Sequence, residues 1–115
     1  MNDHIIQGKT IQWTFSDGPM AHKTFEHTFN ANGSVTWCTV ENGKKGKPST
    51  AERSEVTSVG EGVYAVSYLG SSGYTLTVVL DFRTQRLVAF ASNEASLTLQ
   101  KGTFKADGVE HARGA

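Results

Sequence analysis

Eight short runs in which apolar and polar residues alternate, separated by clusters of Gly, Asn and Ser, leave this chain few ways to bury its side chains. Alternation with a period of two sends successive side chains to opposite faces of an extended strand, so each run has one face to hide and one to wet. Residues 9–16 set Ile11, Trp13 and Phe15 against Thr10, Gln12 and Thr14, and residues 23–30 set Phe25, His27 and Phe29 against Thr24, Glu26 and Thr28. Residues 34–41 divide Val35, Trp37 and Thr39 from Thr36, Cys38 and Val40. Further on, Tyr64, Val66 and Tyr68 alternate within 63–69, and Tyr74, Leu76, Val78, Leu80 and Phe82 share a face within 74–82. Runs at 86–92 and 96–104 complete the set. The poorest is 50–59, where Val56 and Val59 have opposite parity, which predicts an edge-like or bulged strand.

The punctuation between the runs is that of tight reversals. Asn30-Ala31-Asn32-Gly33 offers residues that tolerate positive φ, and Gly60-Glu61-Gly62, Ser71-Ser72-Gly73, Arg83-Thr84-Gln85 and Asn93-Glu94-Ala95 follow the same logic. No segment of helical length keeps a 3.6-residue period, beyond a single turn expected around Pro19–Lys23. The expectation is an all-β fold, an eight-stranded antiparallel up-and-down barrel occupying residues 1–107, with a loose tail at 108–115. A closed sheet of that size has an interior just wide enough for side chains or one small ligand.

Composition narrows the function classes. Eleven basic and eleven acidic residues cancel, so no global field favours nucleic acid or an anionic membrane, and neither is expected as a partner. No apolar stretch approaches the roughly 20 residues that cross a bilayer, and the first residues lack a secretory apolar segment, so a cytoplasmic chain is expected. The single cysteine, Cys38, fits a reducing compartment and is read as an inert packed thiol facing away from Trp37. Asn32-Gly33-Ser34 matches a glycosylation acceptor but is read as a hairpin turn.

The sequence holds no nucleophile triad, metal-ligand cluster or phosphate loop, and no metal or cofactor is expected. His22 and His27, five residues apart, face opposite sides of an extended strand and do not share an ion. Lys44, Lys45 and Lys47 are either a solvated loop that keeps a sheet edge soluble or an attractor for an anion at a barrel mouth. Glu26, Glu55 and Asp81 fall on outward faces, and Val40, Val79 and Val88 leave apolar side chains there that would suit a homodimer.

The inward faces carry the functional candidates. Trp13, Phe15, Phe25, His27, Trp37, Tyr64, Tyr68 and Val78 are the expected ligand-binding residues, backed by Ile11, Phe29, Leu76, Leu80, Leu87, Ala89 and Ala91. Phe25 and Phe29 flank His27 at i−2 and i+2, so a regular strand sends the imidazole inward with them, where desolvation lowers its pKa. Three readings remain open. The first is a module that binds a small apolar or aromatic molecule. The second is a cofactor-free isomerase, cyclase or lyase, with His27, Tyr64 and Tyr68 as the candidate catalytic groups. The third is a structural or partner-binding barrel whose rings fill its interior, with His27 paired to a tyrosine hydroxyl.

Gly46 through Tyr68, with the core Glu61-Gly62-Val63-Tyr64-Ala65-Val66-Ser67-Tyr68, resembles the matching stretch of bacterial phenolic acid decarboxylases and of MoaF-like proteins. Gly8, Trp13-Thr14-Phe15 and Gly18, the run from Phe25 to Phe29, and the hairpin from Leu76 to Ala91 fit the same pattern. The resemblance implies a calycin, lipocalin-like barrel with a ligand cavity. It also implies where decarboxylase chemistry would sit: two tyrosines on the first strand, an arginine after the third-strand loop and a glutamate at the end of the fifth. Those places hold Trp13, Phe15, Lys47 and Gly70 here. Phenylalanine has no polar group, indole has one N–H, lysine lacks the bidentate fork and glycine has no acid. The resemblance therefore points to the MoaF-like branch and away from decarboxylation.

Overall fold

A backbone that must pair every N–H and C=O while hiding one face of each strand has built, in the computed structural model, a single antiparallel sheet. The structure describes residues 6–51, 53–70 and 73–106. Its strands are β1 (Thr10–Phe15), β2 (Thr24–Phe29), β3 (Val35–Glu41), β4 (Lys44–Lys45), β5 (Ser49–Ala51), β6 (Ser54–Gly60), β7 (Val63–Leu69), β8 (Thr75–Asp81), β9 (Arg86–Ser92) and β10 (Leu97–Ala106). They hydrogen-bond in the order β4-β3-β2-β1-β10-β9-β8-β7-β6, with β5 on the free edge of β3. Among the described residues there is no helix, so none is long and apolar enough to cross a membrane. Instead of a helical turn, Pro19–Lys23 forms two overlapping reversals, Ala21 N–H to Gly18 O at 3.1 Å and Lys23 N–H to Met20 O at 3.0 Å. The tail expected at 108–115 lies outside the described residues.

The expectation of eight strands closed into an up-and-down barrel is corrected in two respects: the described residues form ten strands, and their ladder does not close. All eight anticipated runs are strands, but the basic loop adds β4 and the irregular run at 50–59 divides into β5 and β6. The division has a physical cause. The two strands take different partners, β5 pairing with β3 and β6, among the described residues, with β7 alone, and the β6 register slips between Ser58 and Gly60. Pro48, which has no N–H to give a ladder, separates β4 from β5 along the same edge. At the resulting seam Ser54 Oγ donates to Gly33 O at 2.7 Å, and the fully buried Ile6 packs into the core.

Alternation places the core as the sequence demands. Ile11, Val78, Leu80, Leu87 and Ala89 are at most 2% exposed, and Phe104 and Ala106 from β10 join them. The β1–β10 pair is drawn together at Gly102, opposite Phe15, where a Cβ would run into the Thr14 carbonyl oxygen. The turn at Asn30–Gly33 is closed by Gly33 N–H to Asn30 O at 3.0 Å, with Gly33 at φ +94°. The outward valines Val40, Val79 and Val88 are half-buried, whereas Leu97, Leu99 and Phe90 are the apolar side chains exposed on β9 and β10.

Candidate functional site

The inward faces are not filled evenly. Toward one end, Ile11, Leu80, Leu87 and Phe104 make a closed core; toward the other, the strands enclose a cavity of about 330 Å³. Its walls carry the rings of Trp13 and Phe15 from β1, Phe25 from β2 and Trp37 from β3, with Leu76 from β8 and Ala91 from β9. Pro19, Met20 and Tyr74, all exposed, stand at its mouth. The loop between β1 and β2 is fastened over that mouth from β10: Gln100 Oε1 accepts the Met20 N–H at 2.8 Å, and Asp17 Oδ1 accepts the Lys101 N–H at 2.9 Å.

The floor is a polar pair. His27, 2% exposed, has its Nε2 2.7 Å from the Tyr68 hydroxyl, a hydrogen bond between β2 and β7. Its ring stacks on Trp13 with centroids 3.8 Å apart and 21° between planes, and lies nearly parallel to Trp37 at 6.2 Å. Trp13 and His27 meet because they are diagonal neighbours on one face of the β1–β2 ladder, in which Ile11 pairs with His27 and Trp13 with Phe25. Burial lowers the His27 pKa to about 3 and pushes the Tyr68 phenol up. Nδ1 of His27 is closed to solvent and has no hydrogen-bond partner among the described residues.

Among the described residues no charged side chain lines the cavity. The acids face outward, as parity requires: Glu26 pairs with Lys45 at 3.1 Å, and Asp81 with Arg83 at 3.0 Å. The Gln12 amide, assisted by Lys45, holds the Glu26 carboxyl below its ordinary value. Lys44 and Lys47 are exposed and take no part in the cavity. Among the described residues no group of three His, Cys, Asp or Glu side chains is placed to hold a metal ion.

Of the eight residues expected to bind a ligand, Trp13, Phe15, Phe25, His27, Trp37 and Tyr68 line the cavity, and Tyr64 and Val78 do not. Val78 is fully buried in the closed core, and Tyr64 packs edge-on against Phe82 at 5.8 Å. The proposed acid–base trio thus reduces to His27 with Tyr68. Tyr74, Thr98 and Gln100 were missed. Parity had already set Tyr74 on one face with Leu76 without marking it as a binding residue, and Gln100 keeps phase with Phe104, whereas Pro19 and Met20 sit in a loop that carries no periodic signal. Three of the four positions matched to decarboxylase catalytic groups, Trp13, Phe15 and Gly70, line the cavity, and the fourth, Lys47, is outside it.

Comparison with known proteins agrees with this architecture. Residues 3–96 match the family model of the MoaF N-terminal domain. A crystal structure of a candidate beta-lactamase from Burkholderia vietnamiensis superposes with a TM-score of 0.72 at 13% identity, covering 89% of this chain and 95% of that one. At that identity the likeness is one of fold. No curated protein matches the sequence.

Proposed function

The chain belongs to the MoaF N-terminal domain family, and on that footing we propose that it binds one small, flat, mostly apolar molecule in the cavity at the open end of the sheet. The observation that carries this reading is the cavity itself: about 330 Å³, walled by the rings of Trp13, Phe15, Phe25 and Trp37, with a single hydrogen-bonded polar pair at its floor. Sites for small molecules have this make-up, an apolar wall with a few fixed polar tips, and this one stands at the small end of their range. Aromatic faces favour a planar guest, which stacks or meets ring edges.

Binding is preferred to proton-transfer chemistry because of His27. An imidazole whose burial keeps it neutral down to about pH 3 is a weak base at neutral pH, and general-base catalysis works best when the two are matched. The test uses N-phenyl-1-naphthylamine, a neutral aromatic probe, with Trp13 and Trp37 in the wall as reporters. We expect saturable quenching of tryptophan emission with a matching rise in probe emission, and loss of both when Ala91→Trp fills the cavity in a protein whose circular dichroism is unchanged. Quenching that never saturates, or that survives Ala91→Trp, overturns the reading.

A further inference from the structure

The His27–Tyr68 pair holds two protons when both groups are neutral, one on the imidazole and one on the phenol. One of them is used between Nε2 and the phenol oxygen, 2.7 Å apart. The other is surplus, and the pair must place it somewhere. If Tyr68 donates to Nε2, the surplus proton sits on Nδ1, which is closed to solvent and has no acceptor among the described residues. If Nε2–H donates to Tyr68, Nδ1 keeps only a lone pair, and the surplus proton belongs to a phenol that lines the cavity. A buried N–H with no acceptor costs on the order of 1–3 kcal/mol, and orphaned donors are rarer in proteins than under-used acceptors. The second arrangement avoids that cost by giving the spare donor to the cavity.

We infer that His27 is held as the Nε2–H tautomer and acts as a positioning residue, turning the Tyr68 hydroxyl into a hydrogen-bond donor aimed into the cavity, and that the guest is therefore a neutral planar molecule with an acceptor oxygen, an aromatic ketone or aldehyde rather than a hydrocarbon or a carboxylate. The inference rests on the cavity being a binding site. Two features of the wall support it. No cation lines the cavity among the described residues, so a carboxylate would be buried there without a counter-charge from them. A phenol that accepts from N–H is a stronger donor in turn, because hydrogen bonds in a chain polarise one another. The other polar groups of the lining are the indole N–H groups of Trp13 and Trp37 in the wall and Tyr74, Thr98 and Gln100 nearer the mouth; Gln100 Oε1 is already taken by the Met20 N–H.

The first test needs no guest. In protein labelled with nitrogen-15 on the imidazole, long-range correlation spectra of His27 should show a protonated Nε2 and an unprotonated Nδ1 at pH 7; a protonated Nδ1 overturns the inference whatever the cavity binds. The second test displaces N-phenyl-1-naphthylamine with 2-acetylnaphthalene, 2-ethylnaphthalene and 2-naphthoate. Tyr68→Phe should weaken the ketone about tenfold, the worth of one hydrogen bond, and leave the hydrocarbon within about twofold. The naphthoate should compete worst. Equal effects of Tyr68→Phe on ketone and hydrocarbon defeat the donor assignment while leaving the cavity a binding site. If the hydrocarbon displaces the probe and the ketone does not, the inference falls while the cavity remains a binding site; if the probe itself does not bind, the binding reading falls and this inference with it.

Discussion

His27 shows how much a single position can be made to do by its neighbours. Two phenylalanines fix its direction, two tryptophans lie parallel to its ring, and burial keeps it neutral, with a pKa of about 3 against 6.5 in solvent. The sign of the consequence follows directly. Between those values the unfolded chain binds a proton that the folded chain refuses, so stability is full above about pH 6.5 and falls as pH drops toward 3. From pH 7 to pH 5 the loss attributable to this residue is about 2 kcal/mol, since each pH unit inside the window is worth about 1.4 kcal/mol. The perturbed carboxyls Glu26 and Asp81 titrate below that interval and do not contribute to it. Urea unfolding at the two pH values should show this loss in the parent and not in His27→Phe; an equal loss in both would mean the imidazole titrates freely when folded. The inward direction of His27 was legible from parity alone. A tyrosine hydroxyl was anticipated as its partner, but which tyrosine was not legible, because Tyr68 lies 41 residues away and is brought to it by the strand order.

At the scale of elements, the strands were legible wherever one face was clearly apolar and blurred where the chain serves two partners. The run at 50–59 lost its alternation because β5 and β6 pair with different strands, and no periodicity describes a segment that changes neighbours midway. Ladder closure was not legible either, since period two reports which face is buried and says nothing about whether the last edge meets the first. The seam this leaves is held in part by Ser54 Oγ on Gly33 O, and Ser54→Ala should cost about 1 kcal/mol in urea unfolding. A larger test of packing lies at Gly102. A methyl group there meets backbone, the Thr14 carbonyl, which cannot swing away as a side chain would. Gly102→Ala should destabilise by about 1–3 kcal/mol and lower the melting temperature, as overpacking does elsewhere. A melting temperature unchanged by this substitution would show that β1 and β10 can separate without cost.

The whole molecule divides its apolar surface between a closed core and an open cavity, and the sequence predicted the rings of both without saying which would stack solidly and which would leave space. Tyr64 and Val78 are buried away from the cavity, while Trp13, Phe25 and Trp37 line it, a partition that follows their places along the strands relative to the loops at the mouth. The same geometry argues against phenolic acid decarboxylation, because a para-hydroxycinnamate would bury its carboxylate among Trp13, Phe15 and Gly70 with no cation among the described lining residues. Incubation with para-coumarate should release no carbon dioxide above the protein-free control, and turnover would reverse that argument. The central claim, that the guest occupies the interior and not the exposed Phe90, Leu97 and Leu99 on the outer face, is tested most directly by mapping N-phenyl-1-naphthylamine on the protein by NMR. Saturable shifts are expected at the methyl groups of Met20, Leu76 and Ala91 and at the indole N–H of Trp13 and Trp37, with Leu80 and Leu87 unmoved; shifts confined to Leu97 and Leu99 would contradict an interior site.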